Sequence, residues 1–421
     1  MQLKDALEEI NRIPQIPNYI PSLERIESAI QHLYGDLRTY AKQMITIAGT
    51  NGKGSVAKSL ETFFLESGQD CALFTSPHLI RINERIRFAG KEITDEEFLH
   101  HYMQVRPAVR DYQLSHFEIL CIIALDYFMP KIKMGATCIW EVGMGGRWDA
   151  TNSIPHDTSI LCPIGYDHQK YLGNTLEEIA ANKFDIVQEG NQVFSVRYPE
   201  SLQALLEKKC QVQGASLHTI DEDWIQSFQY DYNENYEFFL RYDGNTYPNS
   251  LSGKRGFENL VYAYFIWSHL QDKWQKQLSA SSKIQWPHRF SSRYSEVFQD
   301  MVYFSGDHNV QGIHSLVEIL NCNPQQKWLV LMALTEGRDP NGMFDPIFDN
   351  PNCELLLCQS PFRAQTLEDY KRWRNWEAWN GKYFASAKEA ILYMKEVKQA
   401  DQRVLICGSL YLTGHIDEIL R

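Results

Sequence analysis

At 421 residues the chain is too long for one ordinary core and reads as two domains, with 44% apolar and 22% charged residues describing a globular protein of enzyme size. No run of about 18 uninterrupted apolar residues occurs, and Met1-Gln2-Leu3-Lys4-Asp5 lacks a signal-peptide core, so the expectation is a cytoplasmic protein with no membrane partner. A formal charge of −12 argues against nucleic acid as a partner, and any anionic ligand must be held by local positive groups.

In chain order, short apolar strands are predicted at 45–49, 70–75, 136–142 and 158–164, with helices at 53–67, 116–129 and 175–188. Residues 228–248, aromatic but rich in Asp, Asn and Glu, predict a peripheral hairpin. The polar segment Gln277-Leu278-Ser279-Ala280-Ser281-Ser282-Lys283 separates this block from a second one, which gives domains at 1–284 and 285–421. The second block predicts strands at 301–305, 328–334, 354–358 and 403–407 and helices at 310–320, 364–376 and 387–398. Strand-helix alternation of this kind implies parallel α/β layers. Nine scattered cysteines without a CxxC pair read as buried thiols, neither disulfides nor a zinc site.

Chemistry concentrates at the ends of the predicted strands. Gly49-Thr50-Asn51-Gly52-Lys53-Gly54-Ser55 joins the first strand to a helix. Its three glycines let backbone N–H groups converge, the helix N-terminus adds partial positive charge, and Lys53 can reach terminal phosphates. The strict P-loop pattern fails, because position 47 is Ile and Gly54 follows Lys53. A bare glycine-rich turn is the competing reading, and the flanking strand and helix weigh against it.

Ser76, in Thr75-Ser76-Pro77-His78, lies where an open α/β sheet places ligands; it suits a magnesium hydroxyl ligand or an ordinary cap. Glu141 ends a strand before Gly143-Met144-Gly145-Gly146 and suits either Mg²⁺ ligation or a common ion pair. His168, after Asp167, gains weight only from such neighbours. Lys183, in Ala180-Ala181-Asn182-Lys183-Phe184, would by itself read as a solvated helix lysine.

Together these segments resemble the folylpolyglutamate synthase and dihydrofolate synthase family, a branch of the Mur-ligase-like ATP-dependent amide ligases. The resemblance rests on the 49–55 loop, Thr75-Ser76-Pro77-His78-Leu79 with Asn83-Glu84-Arg85-Ile86, and Glu141-Val142-Gly143-Met144-Gly145-Gly146-Arg147-Trp148-Asp149-Ala150-Thr151-Asn152. It continues through Asp167-His168, Lys183, Glu258-Asn259, Trp286-Pro287 with Arg289, His308-Asn309 and Gly408-Ser409-Leu410-Tyr411-Leu412.

The resemblance implies a P-loop-containing, Mur-ligase-like domain with a mostly parallel sheet, followed by a smaller Rossmann-like α/β domain that binds glutamate. It implies ATP on Gly49, Thr50, Asn51, Gly52, Lys53, Gly54 and Ser55, with Asn259 at adenine and Arg289 and position 305 as further contacts. Ser76, Glu141 and His168 match magnesium ligands, and Lys183 matches a lysine carbamylated by CO₂; Lys53, Lys183 and His168 are the implied catalytic groups. Ser115, His116, Phe117 and Glu118, with Trp148, Asp149 and Ala150, match a pterin-side pocket. The implied reaction phosphorylates a dihydropteroate or folate carboxylate with ATP and Mg²⁺ and joins L-glutamate to it, in a monomer, and the pattern allows a monovalent cation.

Three departures bear on this expectation. Ser305-Gly306-Asp307-His308-Asn309 stands where the family reads Asp-Gly-Ala-His-Asn, and Arg255-Gly256 replaces a His-Gln pair before Asn259. Ile20 replaces an Asp at the start of a pterin loop that here continues Pro21-Ser22-Leu23-Glu24-Arg25, and an apolar side chain cannot accept hydrogen bonds from a pterin. Ser22 alternatively caps an ordinary helix there.

Overall fold

The computed structural model describes residues 2–12 and 22–421. Two compact units divide the chain, Met1–Ser227 with Asn259–Ala280, and Phe228–Glu258 with Ser281–Arg421.

The first unit is built on eight strands: β1 (Met44–Ala48), β2 (Cys71–Phe74), β3 (Ile86–Phe88), β4 (Lys91–Glu92), β5 (Thr137–Glu141), β6 (Thr158–Leu161), β7 (Gln192–Ser195) and β8 (Ser216–Thr219). Their order is β4-β3-β2-β5-β1-β6-β7-β8, with β2, β5, β1, β6, β7 and β8 parallel and β3 and β4 antiparallel at one edge. Every residue of β1 is buried, as expected for a parallel strand covered on both faces, which is why Met44-Ile45-Thr46-Ile47-Ala48 shows no polar alternation. The strand order reverses at β1, so the C-terminal ends of β5, β1 and β6 open onto one crevice edge where such sheets take ligands. Helix Lys53–Glu66 follows β1, and its residues Gly54 through Phe64 are all buried. Helix His116–Lys133 carries Ile119, Ile122, Ile123 and Phe128 into a core shared with Phe74 and Trp140.

In the second unit, β9 (Phe228–Tyr232), β10 (Phe238–Tyr242) and β11 (Asn245–Asn249) form an antiparallel sheet of three strands. A second sheet holds β12 (Arg289–Ser295), β13 (Asp300–Ser305), β14 (Lys327–Met332), β15 (Cys353–Cys358), β16 (Tyr383–Phe384) and β17 (Gln402–Cys407) in the order β12-β13-β17-β14-β15-β16. Only β12 runs antiparallel in it.

Two sequence expectations need correction. The segment 228–248 is not a peripheral hairpin: it is part of a meander of three strands, and Tyr236 and Phe238 enter a core with Phe290, Tyr303 and Trp328. The helix expected over 364–376 is only Leu367–Tyr370. Trp373, Trp376 and Trp379 imitate a helical apolar stripe at three-residue spacing, but they sit on successive turns. Trp373 Nε1 donates to Asp345 Oδ1 at 2.6 Å and Trp379 Nε1 donates to the Leu355 carbonyl at 2.9 Å, side-chain anchors that no periodicity encodes. Among the described residues no helix is long and apolar enough to cross a membrane.

Candidate active site

The glycine-rich loop is fixed by the chain leaving β6. Thr50 N–H donates to the Pro163 carbonyl at 2.8 Å, while Thr50 Oγ1 donates to the Gly165 carbonyl and accepts from Gly165 N–H, both at 3.0 Å. Gly49 lies at φ +155° and Gly52 at φ +87°, and a Cβ on Gly52 would run into the Asn259 side chain. Asn259 is therefore packed against the loop that the sequence pairs it with. The first-turn N–H groups of helix Lys53–Glu66 have no intrahelical acceptor and face the loop's end of the helix, the arrangement that binds anions. Gly52→Ala is expected to lose at least about 1 kcal/mol of stability, from positive φ and the clash together, and to weaken ATP binding; denaturant unfolding and a nucleotide titration would measure both.

Two lysines from distant parts of the sequence meet on one acceptor. Lys53 Nζ donates to the Gly49 carbonyl at 3.1 Å and Lys183 Nζ donates to the same oxygen at 3.0 Å. Lys183 is buried at 3% exposure, near the C-terminus of helix Leu176–Phe184. Burial first, and the charge of Lys53 second, push its amine down from 10.5 to about 7, with Asp167 and Asp149 opposing. A large share of Lys183 is thus a neutral nucleophilic amine near pH 7, which a surface lysine is not.

Glu141 closes β5 at 4% exposure and accepts a hydrogen bond from Ser76 N–H at 3.1 Å, so these two predicted metal ligands are brought together across neighbouring strand ends. His168 stands on a left-handed turn at φ +53°, its backbone N–H donating to Asp167 Oδ1 at 2.8 Å and its ring 3.9 Å from that buried carboxylate. Among the described residues no three His, Cys, Asp or Glu gather as a metal cluster. A hydroxyl and one carboxylate at neighbouring strand ends nevertheless suit Mg²⁺, which takes one or two carboxylates and completes its shell with phosphate oxygens and water.

The segment after Glu141 is clamped onto the lysine helix. Arg147 N–H donates to the Asn182 carbonyl at 2.9 Å, and Arg147 pairs with Asp185, which also holds Lys209 at 2.9 Å. A Cβ on Gly146 would lie 2.8 Å from the carbonyls of Asn182 and Lys183. Glycine is needed at 146 because backbone meets backbone there, and at 145 because φ is +74° and a Cβ would run into the Asn182 and Leu172 side chains; the contact packs this turn against the lysine helix. Asp149 directs its carboxylate inward: Oδ2 accepts from Gly143 and Met144 N–H, both at 3.0 Å, and Oδ1 from Thr151 N–H at 3.1 Å and Thr151 Oγ1 at 2.6 Å. Asp149 thus organises the loop, and Trp148, 48% exposed, is the side chain that the loop presents outward. Asp149→Asn would aim an amide at backbone donors, and an expected loss of about 1–3 kcal/mol should appear in denaturant unfolding.

No family model matches the chain. It is 28% identical over 407 residues to the dihydrofolate synthase/folylpolyglutamate synthase of Bacillus subtilis, covering 89% of this chain and 90% of the relative. It is 27% identical over 415 residues to the enzyme of the same name from Escherichia coli, covering 94% and 91%. Over most of its length the chain is thus similar to curated dihydrofolate synthase/folylpolyglutamate synthases. Its fold is that of Mycobacterium tuberculosis folylpolyglutamate synthase complexed with ADP, with a TM-score of 0.85 at 22% identity over 99% of this chain and 98% of that one. The E. coli FolC structure in complex with DHPP and ADP matches at a TM-score of 0.80 and 23% identity, over 100% and 97%.

The family's remaining motifs fall into separate neighbourhoods. Ser115 N–H donates to Glu118 Oε2 at 2.6 Å as part of a capping box, and Arg25 Nη2 reaches Glu118 at 3.3 Å. The Leu23-Glu24-Arg25 segment is thereby anchored on the helix that carries Phe117, whose ring packs where a Cβ on Gly143 would be 2.7 Å away. Ser22 Oγ accepts from Glu24 N–H at 3.1 Å, while the helix cap itself is Leu23; Ile20 and Pro21 lie outside the described residues. Arg85 Nε donates to His78 Nδ1 at 2.9 Å; burial and then Arg85 hold His78 down to about 4, so that ring is neutral near pH 7, and the same two causes lower His116. The sequence names Arg25, Arg85 and Asp167 only as members of motifs; the contacts of Arg25 with Glu118, of Arg85 with His78 and of Asp167 with His168 come from the fold.

Arg289 and Ser305 belong to the second unit, where they are paired opposite one another in β12 and β13. Two of the departures from the family pattern touch there: Ser305 Oγ donates to Asp307 Oδ2 at 2.6 Å, and Arg255 Nη1 stands 3.6 Å from Asp307 Oδ1.

Proposed function

We propose that the chain is an ATP- and Mg²⁺-dependent ligase that activates the carboxylate of a pteroate or folate as an acyl phosphate and joins L-glutamate to it, acting as dihydrofolate synthase, folylpolyglutamate synthase or both. The observation that carries this reading is the convergence of Lys53 and a buried, half-neutral Lys183 on the Gly49 carbonyl of a phosphate cradle. Full-length relatives of that name support the substrates.

A carboxylate oxygen of the acceptor attacks the γ-phosphorus, ADP leaves, and the amine of glutamate then attacks the acyl carbon and expels phosphate. The loop amides and Lys53 hold the phosphate charge in line, which is most of what phosphoryl transfer requires. Magnesium, when bound by Glu141, Ser76 and His168, supplies neutralisation of the phosphate oxygens. The neutral Lys183 amine is suited to attack CO₂, forming an N–C bond and releasing one proton; the resulting carbamate would put an anionic oxygen donor beside the cradle. Residues 1–284 would serve ATP and the acceptor, with Ser115, His116, Phe117, Glu118, Trp148, Asp149 and Ala150 on the acceptor side. Residues 285–421 would serve glutamate, with Arg289 and Ser305 toward the nucleotide. A cytoplasmic monomer is the expected form.

Phosphate release from ATP by the purified protein tests the reading, with dihydropteroate, tetrahydrofolate or its glutamates as acceptor, with and without L-glutamate. Release that needs both acceptor and glutamate is the expected result. Release without either, or none with any acceptor, would overturn it.

A further inference from the structure

In the second unit, one buried side chain outside the roles above ties three of the recognised motifs together. His288, 3% exposed, directs Nδ1 to Thr413 Oγ1 at 2.9 Å, and that hydroxyl donates to the Leu410 carbonyl at 3.0 Å, leaving it an acceptor toward the ring. Its Nε2 lies 3.6 Å from Asp417 Oδ2, a carboxylate also held by Arg293 at 2.8 Å and Arg421 at 3.0 Å. The ring stacks on Phe304 at 5.0 Å between centroids and 14° between planes. The His288 carbonyl accepts from Gly306 N–H at 2.7 Å. The Trp286-Pro287 segment, the Ser305–Asn309 turn and the helix Leu410–Ile419 therefore meet at this residue.

The backbone shows what this anchoring holds. His288 and Phe290 both lie at φ +58°, in the left-handed region that non-glycine residues seldom occupy, and the β12–β13 register shifts between Arg289 and Ser291. Arg289 is thus presented from a bulge flanked by two strained residues. Its guanidinium makes no hydrogen bond or ion pair among the described residues. Strain of this kind persists only where surrounding contacts over-determine it, and it clusters where a side chain must be aimed.

We infer that His288 is a positioning residue whose attachment to Thr413 and Asp417 sets the direction of Arg289 for its role in the reaction. The inference rests on the reading of Arg289 as a nucleotide contact. The test compares His288→Gly, Arg289→Ala and the double variant in acceptor- and glutamate-dependent phosphate release, as kcat/KM for ATP, with thermal melting recorded for each. Glycine tolerates φ +58° without the ring, so the backbone keeps its path while the anchor is lost. His288→Gly should lower kcat/KM about tenfold or more, and the double variant should be no worse than Arg289→Ala alone, because both changes remove one aimed guanidinium. Effects that multiply in full, or an unaltered His288→Gly enzyme, would overturn the positioning role. An unaltered Arg289→Ala enzyme would instead remove the reading of Arg289, and this inference with it. Should His288→Gly not fold, Thr413→Val removes one anchor and leaves position 288 intact, with the same non-additivity expected and the same additive result counting against it.

Discussion

Lys183→Ala is expected to lose acceptor-dependent phosphate release by a factor on the order of 10²–10³ or more, since it removes a charge-stabilising group aimed at the phosphate cradle. Millimolar-range formate or acetate should restore part of the rate if the working form is a carbamate, because a small carboxylate can occupy the space and supply the missing anionic oxygens. The stability of the same protein should move the other way. Burial holds the Lys183 amine at about 7 in the folded chain, against 10.5 for an unburied lysine. Between those pH values the unfolded chain carries a proton at this position that the folded chain lacks, so stability rises with pH across that window. Below about 7 the cost of burying the charged amine is constant and at its largest, on the order of a few kcal/mol. In CO₂-free, metal-free buffer, Lys183→Met should therefore melt above the parent protein at pH 7, with the margin narrowing as pH approaches 10.5. A margin that widened with pH would show that Lys183 is not buried as an amine.

Glu141→Gln should lower turnover by about 10²–10³-fold while leaving the fold intact. The carboxamide keeps the size of the side chain and can still accept from Ser76 N–H, so what disappears is the negative charge at the end of β5. If that charge holds Mg²⁺, the apparent magnesium requirement should rise, and excess Mg²⁺ should recover part of the rate. Ser76→Ala should act more mildly and in the same direction, because the hydroxyl is a neutral ligand and the contact to Glu141 runs through the backbone N–H. Magnesium titrations of both variants at fixed ATP distinguish loss of a ligand from general damage, which would leave the magnesium dependence unchanged.

Much of this arrangement was legible in the sequence because it is local. The strand-turn-helix at 44–66 announces itself through an apolar run, glycines and a lysine in immediate succession, and helix 310–320 through clean periodicity matched by Val310–Leu320. What local pattern alone does not give is set by distance in the chain, and Lys183 enters the expected site only through the family resemblance. Nothing around Lys183 distinguishes it from a solvated helix lysine; its burial and its bond to the Gly49 carbonyl come from the packing of Gly145 and Gly146 against its helix. Asp149 carries the opposite lesson. It reads as a pocket residue by family pattern, and the fold adds that its four accepted hydrogen bonds hold the loop that carries it. The helix expected over 364–376 gives way after Tyr370 to turns whose indole N–H groups at Trp373 and Trp379 are anchored on Asp345 and the Leu355 carbonyl, contacts distant in the chain.

Carboxylate activation, the central claim, is tested most directly by oxygen-18 transfer. An acceptor labelled in both oxygens of its reacting carboxylate should deliver one labelled oxygen into each phosphate released, since the oxygen that attacks ATP departs with the phosphate when glutamate's amine displaces it. Amide product formed together with unlabelled phosphate would contradict the acyl phosphate and the role given to the cradle at Gly49–Ser55.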